Sequence, residues 1–291
     1  MTPAPPDRID AHQHFWALSR TDYGWLNPTE QPALAPLYRD FQPTDLQPLL
    51  AAHGVRGTVL VQAAPTLAET RYLLGLASRH AFIQGVVGWV DLTATNAPAV
   101  IDELAEHAAF KGVRPMLQDM ADDDWIAEAR IAPAVHHLVQ RGLSFDALVK
   151  PQHLPHLLRF AQAHPGLAIV IDHAAKPDIA AGQYSAWRRD LAALARLPGM
   201  HVKLSGLLTE AGPGWSAATL RPVVQTVLEL FGPGAVLWGS DWPVLNLAAD
   251  YAQWVQVSDE LLAGLGKEDR HAVLAGNAQR FYRLPTLHAP P

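Results

Sequence analysis

The sequence predicts a single (β/α)8 barrel, one domain of 291 residues with the barrel proper at about residues 8–284. Three observations predict it. The length suits one α/β barrel of roughly 250 residues plus short tails. Eight β-rich runs can be marked, several of them apolar on both faces as buried parallel strands are. Helical patterns separate most of these runs, and that alternation implies parallel βαβ units. A doubly wound open sheet is the alternative, but no Gly-rich phosphate fingerprint follows the first run.

The first run covers residues 9–15 and the next helix residues 44–53, with Pro48 near its start. The second run, 57–63, precedes a helix over 66–80 that opens with Thr66 and Glu69 at capping-box spacing. The third, 84–92, precedes a helix over 96–107 with Asn96 as N-cap and Pro98 in the first turn. Runs at 110–117, 143–149 and 168–174 are followed by helices at 132–141, 151–164 and 184–196. The seventh run, 201–206, precedes a helix at 219–230, and the eighth, 236–243, precedes helices at 250–262 and 267–282. No repeat, charge block or long linker interrupts the series, and the Pro/Ala stretches at both ends read as tails.

Composition excludes several function classes. Hydrophobic residues make up 49% and charged residues 17%, which supports a large core and not a disordered chain. A formal net charge of -6 does not attract nucleic-acid phosphates, so no nucleic-acid partner is expected. The absence of Cys excludes disulfides, thiolate nucleophiles, iron–sulfur clusters and Cys-based zinc sites. No apolar run reaches transmembrane length and Met1 to Arg8 lacks a signal-peptide core, so a cytoplasmic protein without a membrane partner is expected. There is no Walker A loop, GxSxG elbow or HExxH pair.

The chemistry-bearing residues fall at the ends of the runs. His12 and His14 are two apart on the first run and so share a face. At the C-terminal end of a barrel strand they point into the mouth, where two imidazoles can share a divalent metal or a substrate oxygen. The alternative is a pair of buried, hydrogen-bonded histidines. His173 closes the sixth run and Asp241 the eighth, and barrel closure brings strand eight beside strand one. A carboxylate there can act as general base on water while imidazoles or a metal polarise a carbonyl. Arg114 ends the fourth run, placed to bind a carboxylate or carbonyl, or else to form a structural ion pair. Asp146 lies in an apolar run and needs partners: substrate hydroxyls, or Arg114. Lys203 and Ser205 share one face of the seventh run, inward or outward. Trp16, Trp25, Trp89 and Trp242 lie at strand ends or in the first loop, where aromatic faces suit a sugar ring or ordinary packing.

These residues resemble a known family. Ile9-Asp10-Ala11-His12-Gln13-His14-Phe15-Trp16, with Tyr23-Gly24-Trp25-Leu26 behind it, is similar to the opening of the amidohydrolase-related family. The branch resembled is the sugar lactonases, which includes L-fuconolactone and L-rhamnonolactone hydrolases. Further matches are the segments from Lys111 to Asp119 and Asp122 to Ile126, Asp172 to Pro177, Lys203 to Gly206, Gly239 to Pro243 and Gly276 to Tyr282. The resemblance implies a barrel that hydrolyses a small-molecule lactone. It implies that Asp241 activates water, that His12, His14 and His173 polarise the carbonyl or hold a metal, and that Arg114 anchors substrate. His153 falls where the branch places another substrate contact. Binuclear relatives use a carboxylated Lys and an extra His at strand ends four and five, and here those ends offer Arg114-Pro115 and the stretch from Asp146 to Lys150. One divalent ion such as zinc at partial occupancy, held by His12, His14, His173 and Asp241, or none, therefore fits better than a bridged pair, and no cofactor is expected to be required.

The sequence thus predicts a sugar-acid lactonase with Asp241, His12, His14 and His173 as catalytic residues. Substrate-binding residues are expected at Arg114, Trp16, Trp25, Asp146, His153 and Trp242. Few Arg residues at strand ends argue against a di- or tricarboxylate such as a pyrone dicarboxylate. The alternatives are a metal-dependent decarboxylase of an aromatic or unsaturated acid, a pyrone or muconolactone hydrolase, and a non-catalytic barrel.

Overall fold

Runs of Val, Ile and Leu with few polar interruptions form strands that are buried on both faces. In the computed structural model, which describes residues 7–285, these are β1 (Arg8–Gln13), β2 (Val55–Val61), β3 (Ile83–Gly88), β4 (Phe110–Val113), β5 (Ser144–Ala147), β6 (Ala168–Ile171), β7 (Met200–Leu204) and β8 (Val236–Trp238). They form one sheet in chain order, every neighbouring pair parallel. The circle closes just past the ends of β1 and β8. His14 N donates to Trp242 O at 2.7 Å and Asp241 N donates to His12 O at 2.8 Å. The expected (β/α)8 barrel is therefore the observed fold. The tails at 1–6 and 286–291 lie outside the described residues.

The helices are α1 (Pro43–Ala52), α2 (Leu67–Ala77), α3 (Ala97–Ala105), α4 (Ala132–Arg141), α5 (Leu154–Ala163), α6 (Ser185–Ala195), α7 (Leu207–Ala211), α8 (Ala217–Phe231), α9 (Tyr251–Leu261), α10 (Lys267–His271) and α11 (Asn277–Phe281). The short α7, directly after β7, is not foreseen from the sequence. The continuous helix expected at 267–282 is instead α10 and α11 joined by a π-helical turn, Ala272–Gly276. Thr66 caps α2 as expected, its Oγ1 accepting from Glu69 N at 3.0 Å. Asn96 makes no side-chain cap bond to α3.

Two apolar layers hold the barrel. Ile9, Ala11, Val59, Val61, Val87, Val170 and Leu237 fill the interior together with Tyr282 from the end of the chain. The larger layer lies between the strands and the helices. Burial of this kind is worth roughly 25 cal/mol per Å² of apolar surface. Among the described residues no helix is long and apolar enough to cross a membrane.

Candidate active site

The end of β1 builds one wall of the site. Pairing between β1 and β2 is irregular between Asp10 and Gln13, and such irregularities re-aim side chains. Asp10 and His12 would share a face in a regular strand, yet their partners differ. Asp10 accepts from Ser240 N at 2.8 Å, Ser240 Oγ at 2.6 Å and Tyr251 OH at 3.0 Å. It thereby pins the turn that presents Asp241. Burial pushes the Asp10 carboxyl up to about 6 against those hydrogen bonds. His12 turns the other way, its Nδ1 lying 3.1 Å from Lys203 Nζ.

Three imidazoles converge on one carboxylate oxygen. The Nε2 atoms of His14, His12 and His173 lie 3.3, 3.7 and 3.9 Å from Asp241 Oδ1. His14 Nδ1 donates to Val61 O at 2.8 Å, which fixes the ring with its Nε2 toward Asp241. His173 Nδ1 meets Ser205 Oγ at 2.9 Å, which settles that Ser205 faces inward. Burial would raise the Asp241 carboxyl, but the three imidazoles outweigh it and hold the group below the usual carboxylate range. Burial pushes His173 down to about 4 against the pull of Asp241 and Asp172, so the ring is neutral at pH 7.

His173 sits just beyond β6. It opens four consecutive left-handed residues, His173 to Lys176, with φ of 53°, 50°, 61° and 49°. Asp241 is also left-handed, with φ of 60°. Non-Gly residues in this region cost of order 1–3 kcal/mol each and persist where the surroundings over-determine them.

A dry ion cluster lies beneath. Lys203 Nζ is 2.6 Å from Asp146 Oδ2 and 2.9 Å from Asp172 Oδ1, all three side chains fully buried. Tyr282 OH donates to Asp146 Oδ2 at 2.6 Å. This corrects the expectation for Asp146: it neither reaches the cavity nor braces Arg114, because Lys203 and Tyr282 occupy its Oδ2 and Ser144 Oγ donates to its Oδ1 at 3.1 Å. Burial pushes Asp146 up despite Lys203, whereas Lys203 and His12 hold Asp172 well below its ordinary value despite burial. Arg114 instead pairs with Asp172 at 3.7 Å and donates to Gln62 O.

Above Asp241 opens a cavity of about 360 Å³, lined by His14, His173, Asp241, Arg114, Trp16 and Trp25 among others. That volume suits a small ligand. His12 lies behind this lining. Two expected substrate contacts are not in it. Trp242 is only 2% exposed and packs edge-on against Phe15 and Phe41, because the first loop folds over it. His153 is held by Lys150 N at 2.9 Å and Asp123 at 2.8 Å, off the cavity. Sequence reasoning assigned no role to Gln31, Gln118, Asp119 and Lys176, which do line it. Gln118, Asp119 and Lys176 lie in the loops that follow β4 and β6, and that position is the available signal.

Glu69 secures the Trp wall. Trp25 Nε1 donates to Ala63 O at 2.8 Å, Ala63 N donates to Glu69 Oε1 at 3.3 Å, and Tyr23 OH donates to Glu69 Oε2 at 2.8 Å. Burial pushes Glu69 up from 4.5 to about 7 against these donors and Arg20. A carboxyl raised in the folded state stabilises below its unfolded value, and that contribution is lost as pH rises through about 7. Buried His12 and His173 titrate with the opposite sign, so the difference between wild type and Glu69→Gln isolates the effect. Denaturant unfolding at pH 5 and pH 8 is expected to show the variant gaining on wild type by up to roughly 3 kcal/mol. An equal difference at both pH values would refute this assignment.

A barrel with imidazoles and a carboxylate gathered at its strand ends defines the class of barrel hydrolases that activate water directly or on a metal. The chain belongs to the amidohydrolase family, whose profile matches residues 9–284. It is 50% identical over 281 residues to an L-fucono-1,5-lactonase of Burkholderia ambifaria, covering 95% of this chain and 96% of the relative. It is 37% identical over 292 residues to an L-fucono-1,5-lactonase of Burkholderia multivorans, covering 96% of each. Among solved structures, an amidohydrolase from Burkholderia multivorans with bound zinc superposes with a TM-score of 0.89 at 37% identity, over 96% of this chain and 99% of that one.

Proposed function

We propose that the chain hydrolyses a sugar-acid lactone of the L-fucono-1,5 type, with Asp241 as general base. The observation that carries this is the meeting of three imidazole Nε2 atoms at Asp241 Oδ1, on the floor of a cavity walled by Trp16 and Trp25. Lactonase relatives at 50% and 37% identity support the same chemistry. Asp241 takes a proton from water, which attacks the ring carbonyl, and the imidazoles stabilise the oxyanion. A low resting pKa is compatible with this role, because the oxyanion growing beside Asp241 makes the carboxylate more basic as water attacks. Protonated Asp241 then returns the proton to the leaving alkoxide. Trp25 covers a sugar face, and Arg114 holds a ring oxygen or the new carboxylate.

The residues also fit zinc. His12, His173 and Asp241 offer ligand atoms within 4.8 Å of one another. His14 Nε2 lies 3.3 Å from Asp241 Oδ1, so a fourth ligand atom stands beside these three. Bound there, zinc would supply Lewis-acid polarisation of the carbonyl. A pH-indicator assay on L-fucono-1,5-lactone and other sugar lactones, with and without chelator, tests the reading. Acid release that survives chelation is expected. Silence on every lactone would sink the proposal.

A further inference from the structure

We propose that Lys203 is a positioning residue that locks His12 in the tautomer with its proton on Nε2, making the ring an N–H donor toward the reaction centre and weakening its capacity to bind zinc. The argument is an inventory of protons. An ammonium has three N–H donors and no acceptor. Lys203 Nζ has three polar neighbours within reach: Asp146 Oδ2 at 2.6 Å, Asp172 Oδ1 at 2.9 Å and His12 Nδ1 at 3.1 Å. All four side chains are fully buried. The ring of Tyr282, 5.5 Å from Nζ, also favours a cation there.

His12 Nδ1 must then accept. A proton on it would set two donors against each other at 3.1 Å. Asp172 Oδ1, 3.3 Å from the same nitrogen, would favour that proton, but this oxygen is closer to Lys203, and its carboxylate also faces Arg114. With Nδ1 an acceptor, the ring proton is on Nε2. This atom is buried without a hydrogen-bond partner and points toward Asp241, 3.7 Å away. An N–H at that place is a donor aimed at the Asp241 carboxylate from behind the residues that line the cavity.

Metal-binding imidazoles commonly donate their other ring N–H to a carboxylate or carbonyl. His14 has that arrangement through Val61 O, and His12 has the reverse. Ligation of zinc by His12 Nε2 requires the proton to leave that atom, and the Lys203 hydrogen bond opposes its transfer to Nδ1. The catalytic consequence rests on the lactonase reading, but the tautomer does not, so either can fail without the other.

The test is long-range ¹H–¹⁵N correlation spectroscopy of the histidine rings in metal-free protein at neutral pH, with His12 assigned by its loss in His12→Gln. Wild type is expected to show a protonated Nε2 and a bare Nδ1 at His12. In Lys203→Met the proton is expected to move to Nδ1 toward Asp172, and zinc affinity, measured by competition with a chromogenic chelator, is expected to rise tenfold or more. A protonated Nδ1 in wild type overturns the proposal. So does tighter zinc binding without a tautomer change, since loss of a positive charge alone produces that. If Lys203→Met does not fold, the wild-type spectrum decides together with Asp172→Asn, which is expected to leave the His12 proton on Nε2.

Discussion

Asp241→Asn is expected to lower kcat for lactone hydrolysis by roughly 10³-fold, with KM nearly unchanged, because it removes the general base and little else. The substitution is conformationally mild. Asp241 has φ of 60°, and Asn is among the non-Gly residues that tolerate this region best. The amide also fills the space of the carboxylate between His12, His14 and His173. It cannot accept a proton from water, so oxyanion stabilisation remains while nucleophile activation is lost. Steady-state kinetics on L-fucono-1,5-lactone checks this. Activity within tenfold of wild type would remove Asp241 from the mechanism. An equal loss in Asp10→Asn would point to displacement of the Ser240 turn, so that variant belongs in the same experiment.

How much of this was legible beforehand depends on which physical rule placed each residue. The barrel was legible because buried parallel strands read as apolar runs and the helices as periodic patterns between them. His12, His14, His173 and Asp241 were legible because strand ends all face one mouth and closure puts the eighth beside the first. The partners of Lys203 are not legible in the sequence, since the inward face of β7 follows from register with β6 and β8, which no local pattern encodes. The partner of Asp146 was missed for the same reason: its neighbour across the barrel, Lys203, is 57 residues away. Trp25 and Trp242 look alike in sequence. Only the folding of the first loop makes one a cavity wall and the other core. The left-handed run after β6 carries no Gly, so its composition gave no warning of the turn that aims His173.

The same geometry predicts that Gly206→Ala disables the site from outside the set of reacting groups. Gly206 has φ of 61°, and a Cβ there would fall 2.6 Å from His173 Nδ1 and 3.2 Å from Asp241 Oδ2. The first distance is shorter than real Cβ contacts allow, and the atom it meets belongs to a rigid ring. His173 must therefore swing away, which breaks its contact with Ser205 Oγ at 2.9 Å and draws Nε2 from Asp241. Misplacement of a catalytic group by about 1 Å can cost roughly 10²-fold, so kcat is expected to fall about that much. The left-handed backbone adds roughly 1–2 kcal/mol of instability, which leaves the barrel folded. The readout that separates misplacement from general damage is Ser205→Ala. It removes the same hydrogen bond without the collision and is expected to cost less than Gly206→Ala. Equal losses in the two variants would show that the hydroxyl, and not the space beside the ring, positions His173.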